Sequence, residues 1–184
     1  MAVYYAITHR YEPRTTSATR RYSKNESFRL GNCERIEDWD PSSIVEISVE
    51  NGPPEDIPWL ISGSETLGSA RFCKLLMDFD PHCAQVLPVQ CHGPAEHGIR
   101  PDSYSIINWL HYVDCTDLSQ TTFEPHPIFG YPVPKNFTID RKLIPRDLHV
   151  FWVKHAEVCL YATNRFIDFL SVNQITGFRK TRFH

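Results

Sequence analysis

A chain of 184 residues with 41% hydrophobic and 22% charged residues has the make-up of an ordinary globular protein. Its net charge of −3 excludes strong overall attraction to nucleic acid. No window reaches the ~20 apolar residues that a membrane-crossing helix needs, so no membrane partner is expected.

Folding at this length buries roughly 70% of the unfolded chain's surface, and we read residues 1–184 as one domain. The N-terminus has no basic start followed by a long apolar run, so it does not read as a signal peptide. A cytoplasmic location follows, with the six cysteines reduced. Aromatics at 12% and fourteen prolines predict short elements and a core built partly from rings.

Residues 3–8 open the chain as a strand. Residues 9–30 are polar, with six basic residues against two acidic ones, a net +4. Residues 34–56 reverse the sign, eight acidic residues facing only Arg35, a net −7. Within them residues 44–49 alternate as a strand, Ile47 and Val49 against Glu46, Ser48 and Glu50. Pro53-Pro54 breaks the chain before Trp59-Leu60-Ile61. Ser62-x-x-Glu65 fits a capping box at the start of a helix. Phe72, Leu75, Leu76 and Phe79 give that helix one apolar stripe, and Asp80-Pro81 ends it.

Residues 85–90 read as a strand, with Pro88 marking an edge or a bulge. Residues 92–102 form a loop, and residues 104–113 are β-prone. The four prolines in 119–135 predict an extended connector. Residues 137–140 and 150–153 are strands, and 158–161 starts another. Thr163 is placed to cap a short helix with Phe166, Ile167, Phe169 and Leu170 on one face. Gly177 precedes a last strand, residues 178–183. Two strand–helix–strand units thus bracket a β-rich middle. The fold class is α+β: mixed, mostly antiparallel sheet or sheets with two short capped helices packed on them.

Several groups have the residue types of a chemical site. His82-Cys83, Cys91-His92 and His97 are zinc-type ligands, but adjacent residues on a strand point to opposite faces. Cys91 beside His92 would need a third member to act as a nucleophile. Asp114, Asp117, Glu124 and Asp140 are spread over loops and strand ends, and Asp114 and Asp117 read as turn caps. The basic arm of residues 10–29 interleaves Tyr11, Tyr22 and Phe28, a pattern that contacts phosphates and stacks on bases. Arg179, Lys180 and Arg182 would extend it. The acidic segment around Trp39 is the stronger candidate. A carboxylate-rich loop imitates an anionic substrate and steers association with a basic cleft, and a central aromatic anchors such contacts. The candidate binding residues are Glu34, Glu37, Asp38, Trp39 and Asp40, with Glu55 and Asp56. Tyr131 and Pro132 mark a second contact surface.

The order of several pieces carries a resemblance. These are Leu60-Ile61-Ser62 before a helix, Val86-Leu87-Pro88-Val89, and Tyr104-Ser105-Ile106-Ile107-Asn108. Val113-Asp114, Asp117-Leu118-Ser119, Val150-Phe151, Leu160-Tyr161-Ala162-Thr163 and Thr176-Gly177-Phe178 follow. Over residues 59–184, about two thirds of the chain, it resembles the eleventh family of immunity proteins from bacterial polymorphic-toxin loci, formerly a domain of unknown function. The resemblance implies an α+β domain that binds and neutralises a cognate toxin, often one delivered by type VI secretion or carried on an Rhs-type protein. It implies neither a catalytic site nor a cofactor. Residues 1–58 match loosely, as expected of a part that varies with the partner. The alternatives are a nucleic-acid-binding regulator that uses the basic arm and an enzyme with an unrecognised site.

Overall fold

The computed structural model describes residues 3–9, 16–22, 30, 32–50, 52–60, 65–125, 132–155 and 160–183. In chain order the strands of the first half are β1 (Tyr4–His9), β2 (Thr16–Tyr22), β3 (Ile44–Val49), β4 (Trp59–Leu60) and β5 (Thr66–Ser69). Helix α1 (Ala70–Phe79) leads to β6 (Ala84–Pro88), β7 (Gln90–His92), β8 (Tyr104–Trp109) and β9 (Tyr112–Val113). Strands β10 (Thr122–Pro125), β11 (Pro132–Asn136), β12 (Val150–Val153) and β13 (Leu160–Thr163) precede α2 (Asn164–Val172) and β14 (Phe178–Phe183). Helices and mostly antiparallel sheets give the expected α+β class.

The two strand–helix–strand units share one topology. Both β5 and β6 pair antiparallel with β8, in the order β5-β8-β6, so they run parallel to each other with β8 between them. In the order β14-β1-β13, β1 separates β13 from β14 in the same way, and β12 and β9 complete that five-stranded sheet. Each helix is therefore the crossover of a split β-α-β unit. The four-stranded sheet has the order β4-β2-β3-β7.

Alternating side chains join these sheets into layers. Phe72, Cys73 and Leu76 of α1 and Phe166, Ile167 and Leu170 of α2 share a core with Ile107 and Trp109 of β8 and with Val150, Leu160 and Ala162 of the five-stranded sheet. Phe79 meets Phe169 at 4.6 Å and Phe166 at 5.7 Å between ring centroids, so the helices touch through rings. On the opposite face of the three-stranded sheet, Leu67, Leu87 and Ile106 pack on Ala18, Val45 and Ile47 of the four-stranded sheet. On the outer face of the five-stranded sheet, Tyr4, Phe151 and Tyr161 lie under Cys115, Ile139 and Ile144.

The apolar stripe of α1 holds as read, with Phe72 and Leu76 buried and Leu75 and Phe79 partly so. Its start does not. Ser62 lies outside the described residues, and Glu65 precedes a strand rather than a helical turn. Glu65 is buried and ion-paired with Arg20 of β2, so its carboxylate serves the sheet. Ser69 caps the helix instead, its Oγ accepting from Phe72 N at 3.0 Å. Thr163 is the N-cap residue of α2 but makes no side-chain cap bond. Its hydroxyl lies 3.4 Å from His149 Nδ1.

The remaining differences fall where polar or proline-rich sequence hid β structure. Residues 16–22, read as part of a basic arm, form β2, with Thr16 and Ala18 buried and Ser17 and Thr19 half-buried in alternation. The strand expected over 85–90 divides after Pro88. Its first part is the edge β6, and β7 pairs with β3 in the next sheet. Residues 104–113 divide likewise into β8 and β9, and β9 pairs with β12. The proline-rich connector is a two-stranded ribbon, β10 on β11, with Glu124 and Lys135 3.1 Å apart. Exposed strands tolerate proline because the missing N–H can face solvent. Residues 137–140 contribute only the bridge of Ile139 to Thr116. Of the strand expected to start over 158–161, Val158 and Cys159 lie outside the described residues, and Leu160 and Tyr161 belong to β13, which leads directly into α2.

Gly177, in the Thr176-Gly177-Phe178 turn, has φ +91°, and a Cβ there would stand 2.1 Å from the Ile57 carbonyl oxygen. Only glycine permits both that backbone and that approach.

Candidate protein-binding surface

The acidic segment is held by its main chain. Ile36, 4% exposed, plugs the core between the three- and four-stranded sheets. Gln85 of β6 holds both polar main-chain atoms of Ile36: its Oε1 accepts from Ile36 N at 2.9 Å, and its Nε2 donates to Ile36 O at 3.0 Å. Asn108 lies opposite Gln85 on β8 and donates from Nδ2 to Glu34 O at 2.7 Å. Trp39 is half-buried, and its Nε1–H donates to Pro88 O at 2.7 Å. These bonds leave the side chains of Glu34, Glu37 and Asp38 exposed. Asp40 closes the segment, its Oδ1 accepting from Ser42 N at 2.9 Å in a turn that leads into β3.

Glu55, half-buried, and Asp56, buried, are bonded into the framework. Glu55 Oε2 accepts from Thr16 N at 3.2 Å, and Thr16 Oγ1 accepts from Glu55 N at 2.9 Å. Asp56 is buried and receives Arg71 in a two-pronged bond, Nη2 to Oδ2 at 2.7 Å and Nε to Oδ1 at 3.2 Å. Ser69 Oγ donates to its Oδ1 at 2.7 Å, and Thr176 N donates to its Oδ2 at 3.2 Å. Burial opposes ionisation of Asp56, but the bonds from Arg71, Ser69 and Thr176 outweigh it and hold its carboxyl below the usual range. This carboxylate ties the start of α1 to the turn before β14.

Trp39 likewise belongs partly to the framework: its indole pins the segment, and the residue is half-buried.

The sequence matches no known family model and no curated protein.

The other chemical candidates resolve into local structure. Cys83 and Cys91 are buried while His82 and His92 are exposed, so each adjacent pair does point opposite ways. Burial pushes the Cys83 thiol up to about 12 and also raises that of Cys91, far from the thiolate a nucleophile needs. Among the described residues, no three His, Cys, Asp or Glu side chains are placed to hold a metal ion. Asp117 does cap a turn, accepting from Ser119 N at 3.0 Å. Asp114 instead pairs with Lys154 at 2.7 Å. Asp140 caps the short helical turn Arg141–Leu143, and Glu124 pairs across the ribbon. Arg20 is engaged by Glu65, while Arg10, Arg14, Lys24 and Arg29 lie outside the described residues, as does Tyr131. Among the described residues, no helix is long and apolar enough to cross a membrane.

The reading from sequence missed a groove of about 280 Å³ lined by Phe79, Asp80, His82, His111, Asp147, His149 and Arg165. Burial, then the nearby Arg165 charge, lowers the His149 pKa, with Asp80 and Asp147 opposing. Three histidines far apart in sequence gave no spacing signal. Gln85 and Asn108 were missed too. For Asn108 a signal existed: it continues the row of Tyr104 and Ile106 at a period of two, a polar residue on a buried face.

Proposed function

We propose that the chain is an immunity-type binding protein that neutralises a cognate bacterial toxin by stoichiometric contact. The resemblance of residues 59–184 supplies the class of partner, including delivery by type VI secretion or on an Rhs-type protein. One observation carries the choice of surface: Glu34, Glu37 and Asp38 face solvent from a segment whose main chain is fixed to the sheet beneath it. A rigid acidic row suits a basic cleft of the kind that binds phosphate-bearing substrates. In this reading no residue of the chain does covalent chemistry.

The test is titration of the purified toxin domain with the protein and with a variant carrying Glu34, Glu37, Asp38, Trp39 and Asp40 all changed to Ala. We expect one-to-one binding and at least a 100-fold loss of affinity in the folded variant, about 2.7 kcal/mol. The loss should show in the association rate at low salt. Unchanged affinity with intact folding sinks the reading.

A further inference from the structure

Asn108 stands where burial would favour an apolar side chain. It shares a face of β8 with Tyr104 and Ile106, has 0% exposure, and its Oδ1 has no hydrogen-bond partner among the described residues. A buried amide with an unmet acceptor is less favourable than an apolar residue of similar volume. Its donor end accounts for its presence. Asn108 Nδ2 reaches Glu34 O at 2.7 Å and Gln85 Oε1 at 3.3 Å. Gln85, its cross-strand partner, holds the N–H and the C=O of Ile36. Between them the two carboxamides do for residues 34 and 36 what a neighbouring strand would do, and they do it from side chains.

We propose that Gln85 and Asn108 are positioning residues of the binding surface. They fix the main chain around Ile36 in its binding geometry before a partner arrives, and Asn108 does so at the expense of core stability. A loop ordered in advance loses less conformational freedom on association, which strengthens binding without any new contact. The proposal rests on the reading of residues 34–40 as the toxin-facing segment, but its test needs no toxin.

The experiment is residue-resolved hydrogen exchange on the full chain and on the variants Asn108→Leu and Gln85→Ala, with thermal melting of each. We expect amides of residues 34–37 to exchange at least tenfold faster in both variants. The ladder amides of β6 and β8 should exchange as in the unaltered protein, and Asn108→Leu should melt at or above its temperature. An ordinary core role predicts the opposite pattern, with a lower melting temperature and protection lost throughout β6 and β8. That result overturns the proposal, and so does unaltered exchange at 34–37. If Asn108→Leu fails to fold, Gln85→Ala, at a half-buried site, decides alone. Unchanged toxin affinity of the five-alanine variant removes the functional reading whatever the exchange shows. Unchanged exchange removes the positioning role whatever the affinity.

Discussion

Asp56 illustrates how a residue that sequence places in a charged surface is claimed by the framework. It ends the segment of residues 34–56, whose net charge is −7, and charge density alone assigned it to a binding face. The fold brings Arg71, Ser69 and Thr176 to it instead. Arg71 also donates to the carbonyls of Asn173 and Gln174, so the same guanidinium closes the end of α2. Because the folded carboxyl titrates below its ordinary value of 3.8, the ionised form contributes stability above that pH. The contribution is lost as pH falls through the lower folded value. Asp56→Asn should therefore cost about 2 kcal/mol at pH 7, the scale of hydrogen bonds to a charged group. The gap between the two proteins should narrow toward pH 3. Urea unfolding of both proteins at the two pH values checks this, and a gap independent of pH contradicts it.

At the scale of elements, sequence was most reliable where one face is apolar and one is wet. The α1 stripe, the alternation of β3 and the run of β12 all formed where they were read. Boundaries failed where a competing partner lay far away in sequence. The expected cap of α1 lost Glu65 to Arg20, forty-five residues earlier, and no local pattern announces that pairing. The acidic segment was legible as charge but not as shape, because Gln85 and Asn108 lie forty-nine and seventy-four residues from the atoms they hold. The two helices now separate a working cap from a nominal one. Ser69 Oγ satisfies Phe72 N and also donates to Asp56, whereas Thr163 makes no cap bond. Ser69→Ala should cost about 2 kcal/mol, a cap and a charge-assisted bond together. Thr163→Ala should cost less than about 1 kcal/mol, the scale of a lost buried methyl. Equal losses in chemical denaturation would show that the Thr163 hydroxyl carries more than its geometry indicates.

The whole molecule repeats a split β-α-β unit, yet the halves do not keep separate cores. Leu76 of α1 and Leu170 of α2, each 0% exposed, belong to one cluster walled by sheets from both units. Asp56, Arg71 and the bond from Ile57 N to Thr176 O at 3.1 Å fasten the units again at the edge of that cluster. A cavity opened in either helix is therefore felt by both sheets. Leu76→Ala and Leu170→Ala should each cost about 3–4 kcal/mol, within the range for fully buried leucines. Each should lower one shared transition, with far-ultraviolet dichroism and tryptophan emission changing together. If Leu170→Ala instead splits the transition, leaving the three-stranded sheet folded after the five-stranded sheet has melted, the units are energetically separate. The acidic segment, anchored on the three-stranded sheet, would then survive loss of the C-terminal unit. A single transition makes the surface at residues 34–40 depend on packing at the far end of the chain.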